Sequence, residues 1–287
     1  MIAYLNGGYM PLETARISPL DRGFLFGDGV YEVIPSYGGV PFLLDAHLDR
    51  LGRSLAAIRL ADPLPGAAWR QMLGRLLEKN PGDDRSIYVQ VTRGTAPRDH
   101  AFPASTLATV FAMVSPITPP GSALPETGVA AVTLPDQRWG RCDIKSVALL
   151  ANVLARQQAV DDGAVEAILL RDGFLTEGAA SNVFVVANGV VRTPPLTPAI
   201  LPGITRALLL DLLRAKGRVC REEPILEAEL RAADEIWLTS STREVLPVTQ
   251  LDRQPVGHGR PGPMWREARD LYRKTHSGAG MESSDDQ

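Results

Sequence analysis

A chain of 287 residues is long enough to bury one large core or two medium ones. Its 45% hydrophobic and 22% charged residues, with a net charge of −3, fit a soluble globular protein and give no electrostatic reason to expect nucleic acid or an anionic membrane as partner. No apolar run approaches the roughly 20 residues of a membrane span, the first nine residues lack a signal-peptide layout, and two cysteines (Cys142 and Cys220) are too few for a disulfide framework, so a cytoplasmic setting is expected.

Residues 2–6, the turn Gly7-Gly8 and the run Gly29–Tyr37 before Gly38-Gly39 read as short strands joined by hairpins. Leu44, Leu48, Leu51, Leu55 and Ile58 recur at helical spacing, which predicts an amphipathic helix over 44–60. A second helix is expected over 67–78, stopped by Asn80-Pro81-Gly82, with strands following at 86–93 and 107–115. The Pro- and Gly-rich stretch 117–125 is the clearest linker. It predicts a small N-terminal α/β domain (1–118), a linker (119–126), a larger domain (127–276) and a disordered tail (277–287). In the larger domain the pattern predicts strands at 128–134, Glu166–Arg171, Asn182–Ala187 and 235–239, and helices at 149–162 and 204–216. With no internal repeat, this order implies an α+β protein of two domains, the cleft between them being the default site.

Of the 30 basic residues 26 are arginine, so each of the four lysines can be weighed singly. Lys79, Lys216 and Lys274 stand at helix ends or near the tail and read as solvated charges. Lys145 instead lies between Cys142-Asp143-Ile144 and Ser146-Val147-Ala148-Leu149-Leu150. Apolar surroundings depress an amine's pKa, the condition for Schiff-base chemistry; the other reading is a lysine snorkelling from a strand end. The segment Leu201-Pro202-Gly203-Ile204-Thr205-Arg206 opens a helix, whose free N–H groups suit a phosphate or merely need capping. Glu177, in the apparent turn 176–182 between two strands, is either an exposed carboxylate or a partner for a protonated ring nitrogen. Arg98 and His100, two apart on an extended loop, point the same way and could grip a carboxylate, or simply face solvent. His47 is read as structural, His258 and His276 as solvated, and no spacing of His, Asp and Glu suggests a metal.

Taken in order, the segments Asp21-Arg22-Gly23-Phe24-Leu25-Phe26-Gly27-Asp28-Gly29-Val30-Tyr31-Glu32, His47-Leu48-Asp49-Arg50-Leu51, Arg141-Cys142-Asp143-Ile144-Lys145-Ser146, Glu177-Gly178 with Ser181-Asn182, Pro202-Gly203-Ile204-Thr205-Arg206 and Thr239-Ser240-Ser241-Thr242 resemble the fold-type IV enzymes that use pyridoxal 5'-phosphate (PLP). The resemblance runs from about residue 4 to 249. It implies Lys145 as the catalytic, cofactor-bound lysine and Glu177 as partner of the pyridine nitrogen. It places Arg50, Gly203, Ile204, Thr205, Ser241 and Thr242 around the phosphate and adds Arg138 to the cofactor set. It also implies a barrel-like larger domain and an obligate homodimer that exchanges amino groups between amino acids and 2-oxo acids.

Tyr31, Arg98 and His100 match the substrate-carboxylate trap of the D-amino-acid branch, with Arg98 and His100 supplied across the dimer. That branch typically pairs D-alanine with 2-oxoglutarate. Ala179 and Ala180 depart from it, standing where such relatives often carry serines. Within the same fold the alternatives are a branched-chain aminotransferase, an aminodeoxychorismate lyase or an (R)-amine transaminase; outside catalysis, a silent binding protein for a phosphate ligand.

Overall fold

A computed structural model describes residues 1–118 and 123–277, and the chain divides into two compact units. The first comprises Met1–Thr118 together with Ile144–Leu149; the second comprises Pro119–Asp143 and Leu150–Gln287. Both mix helices with sheet, as the sequence pattern predicts.

The first unit contains β1 (Ile2–Leu5), β2 (Gly8–Pro11), α1 (Arg22–Phe26), β3 (Gly29–Tyr37), β4 (Val40–Pro41), α2 (Leu44–Ala57), α3 (Gly66–Glu78), β5 (Arg85–Thr92) and β6 (Thr109–Pro116). Its strands form one six-stranded sheet in the order β2-β1-β6-β5-β3-β4. Strand residues alternate between faces, so Val30, Ile34, Ile87, Val89, Val91, Ala112 and Val114 point one way. They join Leu51 and Leu55 of α2 and Trp69, Leu73 and Leu76 of α3 in one core. The helix expected over 44–60 ends at Ala57, and Arg59 takes a left-handed conformation (φ 56°) that stops it.

The second unit contains α4 (Leu124–Thr127), β7 (Val129–Pro135), α5 (Leu150–Asp161), β8 (Glu166–Arg171), β9 (Phe174–Gly178), β10 (Asn182–Ala187), β11 (Val190–Thr193), α6 (Ile204–Ala215), β12 (Cys220–Glu222), α7 (Glu227–Arg231), β13 (Glu235–Ser240), β14 (Glu244–Leu251), β15 (Gln254–Pro255) and α8 (Pro263–Ser277). Its nine-stranded sheet runs β12-β11-β10-β13-β14-β7-β8-β9, with β15 on β14. The short turn after β9 brings that end strand back beside β10, so the sheet curls around Ile168, Leu175, Val183, Val185, Ile236 and Leu238.

Several elements differ from expectation. Residues 176–182 are not one turn: Thr176 and Glu177 belong to β9, buried with their polar groups satisfied by Asp136, Asn182 and the Leu201 amide. His276 is on α8, not in a solvated tail; its Nε2 lies 3.7 Å from Glu244 Oε1 and its ring packs on Tyr272. Ser277 closes α8, and the rest of the expected tail, like 119–122 of the expected linker, lies outside the described residues. α1, α4, α7 and α8 have no counterpart in the sequence reading: three are single turns, α4 among them falling largely in the expected linker, and the last follows a Pro/Gly-rich stretch.

Candidate active site

Lys145 is held in the first unit by the start of β3. The Tyr31 amide donates to Lys145 O (2.9 Å), the Val147 amide donates to Gly29 O (3.1 Å), and Val30 bridges Ser146. The Lys145 amide in turn donates to Ser54 Oγ on α2 (3.3 Å). The side chain is half-buried rather than enclosed, with Nζ 4.3 Å from the centre of the Tyr31 ring. Tyr31 stacks on Tyr88 (5.6 Å), whose hydroxyl donates to Gln90 Oε1 (2.7 Å); burial, helped by Tyr31, pushes the Tyr88 phenol up to about 12.

Tyr31 and the next residue face opposite sides of the sheet, so Glu32 points into the core beneath α2. There Arg50 grips it through Nε (2.7 Å) and Nη2 (2.8 Å), and His47 Nδ1 sits 2.7 Å from its Oε2. Burial alone would raise the Glu32 carboxyl, but the Arg50 charge and the hydrogen bonds from Arg50 and His47 outweigh it and bring the pKa down to about 2. Burial lowers the His47 pKa against the pull of Glu32, and the nearby cations Arg50 and Lys145 lower it further. Reading His47 as structural missed its carboxylate partner, since Glu32 and His47 adjoin only when α2 packs on β3.

In the second unit Glu177 is buried at the end of β9. Arg138 Nη1 donates to its Oε1, while Asn182 Nδ2 and the Leu201 amide each donate to Oε2 at 3.0 Å. Arg138 is itself fixed by Asp136 (2.9 and 2.8 Å) and by Ala199 O (3.1 Å). Burial works to lower the Arg138 pKa, but Asp136 and Glu177 more than offset this and hold it above its ordinary value. Asp136, unnoticed in sequence because a lone Asp after a strand carries no pattern, also takes bonds from Thr176 and Arg171.

Asn182 ties this group to α6. Its Nδ2 also donates to Leu201 O (2.9 Å), and a Cβ on Gly203 would come within 1.8 Å of its Oδ1, so only glycine fits there. Gly203 opens α6 with no side-chain cap, and the amides of Ile204 and Thr205 fall in the first turn, where no intrahelical acceptor exists. Thr239 pairs directly with Asn182 and shares its face; its buried Oγ1 has no hydrogen-bond partner. Ser241 and Thr242 occupy the half-buried turn between β13 and β14. Ala179 is buried and pairs through its backbone with Ala167 and Asn152, whereas Ala180 is exposed.

Arg98 and His100 are both exposed and flank one ring: Arg98 Cζ is 5.3 Å and the His100 ring 5.2 Å from the Phe26 centroid. Among the described residues Arg98 forms no ion pair. Both lie at bends rather than on an extended strand, and both come within reach of the same Phe26 ring. No group of His, Cys, Asp and Glu suited to a metal occurs among the described residues.

Residues 29–251 match the family described as amino-transferase class IV. A D-alanine aminotransferase from Bacillus licheniformis is 44% identical over 264 residues, covering 92% of this chain and 93% of that protein. One from Staphylococcus epidermidis is 39% identical over 272 residues, covering 94% and 96%. Among solved structures, the Escherichia coli branched-chain amino acid aminotransferase aligns with a TM-score of 0.90 at 25% identity, over 100% of this chain and 98% of that one. The branched-chain aminotransferase of the archaeon Thermoproteus uzoniensis, solved with norvaline, aligns with a TM-score of 0.87 at 27% identity, over 98% and 96%. A match spanning most of the sequence, with relatives this similar over nearly their whole length, leads to one conclusion: the chain belongs to the amino-transferase class IV family.

Proposed function

We propose that the chain is a PLP-dependent D-amino-acid aminotransferase, moving an amino group from a D-amino acid, D-alanine in the first instance, to a 2-oxo acid such as 2-oxoglutarate. The observation that carries the cofactor is the buried Glu177 carboxylate, fixed by three donors next to the uncapped start of α6. A pyridine ring with a phosphate arm fits that donor set. Glu177 can hold a proton on a ring nitrogen, the Ile204 and Thr205 amides with the helix dipole suit a phosphate, and the orphaned Thr239 Oγ1 lacks a partner on the same face. Arg50, Ser241 and Thr242 complete the phosphate set in this reading, and residues 127–276 are the cofactor-binding domain.

When bound, the cofactor supplies an electron sink for breaking the bond to hydrogen at the substrate α-carbon. Lys145 is the amine that would hold the cofactor, and its freed Nζ would act as general base and acid, taking the proton from the substrate α-carbon and later giving it back. The Arg138–Asp136 pair keeps the Glu177 carboxylate in one orientation, so its charge would face and stabilise a protonated ring nitrogen. Tyr31, Arg98 and His100 bind the substrate carboxylate, fixing which enantiomer presents its hydrogen to Lys145. Arg98 and His100 serve the partner's site in a homodimer; the exposed Leu150, Val153 and Leu154, one stripe of α5, support contact with a second copy. No helix among the described residues is long and apolar enough to cross a membrane, and the free thiols Cys142 and Cys220 support a cytoplasmic setting.

The branched-chain reading draws on the structural neighbours, but a shared fold does not set the substrate. The D-alanine relatives have the higher identity. Initial rates with 2-oxoglutarate as acceptor decide: D-alanine is expected to outpace L-leucine, and pyruvate should accumulate beyond one equivalent per bound cofactor only when 2-oxoglutarate is present. Preferred turnover of L-leucine, or pyruvate released from aminodeoxychorismate without a 2-oxo acid, would reject this reading.

A further inference from the structure

We propose that the 21–28 segment is a positioning device for the substrate-carboxylate pair, with Arg22 and Phe26 setting the directions of Arg98 and His100. The proposal rests on the reading of Arg98 and His100 given above, and assigns a task to a motif that neither the cofactor nor the reacting lysine uses.

The loop carrying the pair has no regular structure, so its carbonyls need donors from elsewhere. Arg22, only 3% exposed, provides them: Nη1 donates to Asp99 O (2.5 Å) and Ala101 O (3.3 Å), and Nη2 to His100 O (3.3 Å). One guanidinium thus holds three successive carbonyls, whose peptide planes bracket His100, while Arg98 is reached through the Phe26 ring. A lysine in its place would offer a single point of donation.

Arg22 is itself immobilised. Its Nε meets Asp28 Oδ2 (2.8 Å), and Asp28 is held from the other side by Arg93 Nε (2.8 Å) and Nη2 (3.0 Å). Arg93 is anchored to the Ile58 and Arg59 carbonyls (2.7 and 3.2 Å) at the end of α2. Asp21 caps the Gly23 amide (2.8 Å) and accepts from Thr92 (3.0 Å) and Thr109 (2.6 Å), tying the segment to β5 and β6. The Phe26 ring then packs against three groups: Arg22 (4.8 Å), Arg98 (5.3 Å) and His100 (5.2 Å). Cation–π attraction and simple bulk limit where the two exposed side chains can lie around it. At the far end Gly27, in a left-handed conformation (φ 67°), has Ala148 Cβ 3.1 Å from where its own Cβ would be, three residues beyond Lys145. One short segment therefore touches both the loop bearing the carboxylate pair and the strip bearing the reacting amine.

The test uses the PLP-loaded enzyme with Arg22→Lys and Phe26→Leu, Phe26→Tyr as the conservative control, and Arg98→Ala as reference. The KM for D-alanine and the Ki of propionate as a competing carboxylate are expected to rise about tenfold or more in Arg22→Lys and Phe26→Leu. Saturating kcat should change much less, the cofactor absorbance band should persist, and Phe26→Tyr should restore both constants. Should Arg22→Lys fail to fold, Phe26→Leu alone decides. If Arg98→Ala raises KM and Ki but Arg22→Lys and Phe26→Leu do not, the positioning role is wrong while the carboxylate site stands. A fall in kcat at unchanged KM and Ki makes the segment merely structural and also overturns it. If Arg98→Ala itself leaves both constants unchanged, the underlying carboxylate site is wrong.

Discussion

Lys145→Ala should abolish transamination, lowering the single-turnover conversion of D-alanine by about 10⁴-fold, the upper range for loss of a positioned proton-transfer group. No other amine can stand in. Lys79 lies at the end of α3 against the Tyr9 ring, Lys216 caps the C-terminus of α6, and Lys274 is on α8. The backbone of the 144–149 strip is held by Gly29, Tyr31 and Ser54, so removing the side chain beyond Cβ leaves the segment in place. The variant should therefore fold and keep its phosphate-binding residues while losing the chemistry. Rapid mixing with D-alanine, followed at the cofactor band, reads the effect; a rate within about tenfold of the parent would take the catalytic role from this residue.

The second large effect concerns stability. Glu32→Gln should destabilise the protein by about 3–5 kcal/mol, because it leaves the buried Arg50 guanidinium without its carboxylate. The depressed Glu32 carboxyl corresponds to an effect of the same order. A folded pKa of about 2 against an unfolded value of about 4.3 corresponds to about 3 kcal/mol. Because the folded pKa is the lower of the two, this contribution is complete above the unfolded value. It is lost as pH falls from about 4.3 toward about 2. Urea unfolding across pH 2–7 checks both parts: the parent should lose stability steeply through that window, and the variant should start lower and fall less. Equal slopes would mean that the ion pair contributes nothing net.

Sequence carried the regular elements well where one face is apolar. The leucine spacing of α2 and the alternation of β3 each report a buried side, so both were legible. What failed were α8 and β14, which follow a Pro/Gly-rich stretch and a turn, and places where burial is polar. Thr176 and Glu177 look like a surface turn because their partners, Asp136, Arg138, Asn182 and Leu201, are scattered over some sixty residues and converge only when the sheet curls. Glu32 escapes notice for the same reason: period-2 alternation says it faces inward, but nothing local says that Arg50 awaits it. The lysine was legible by rarity and setting, though its half-buried state is milder than its apolar neighbours suggest. The 21–28 motif could be seen but not interpreted, since the carbonyls that Arg22 serves lie 77 to 79 residues further along the chain.

The central claim is that one amine, Lys145 Nζ, bonds the cofactor. Borohydride reduction of the PLP-loaded protein, followed by peptide mass mapping, addresses it directly. The account predicts a single phosphopyridoxyl adduct on the peptide containing Lys145, absent when D-alanine is added before reduction without a 2-oxo acid. An adduct on Lys79, Lys216 or Lys274, or none at all in protein that still carries the visible band, would contradict it.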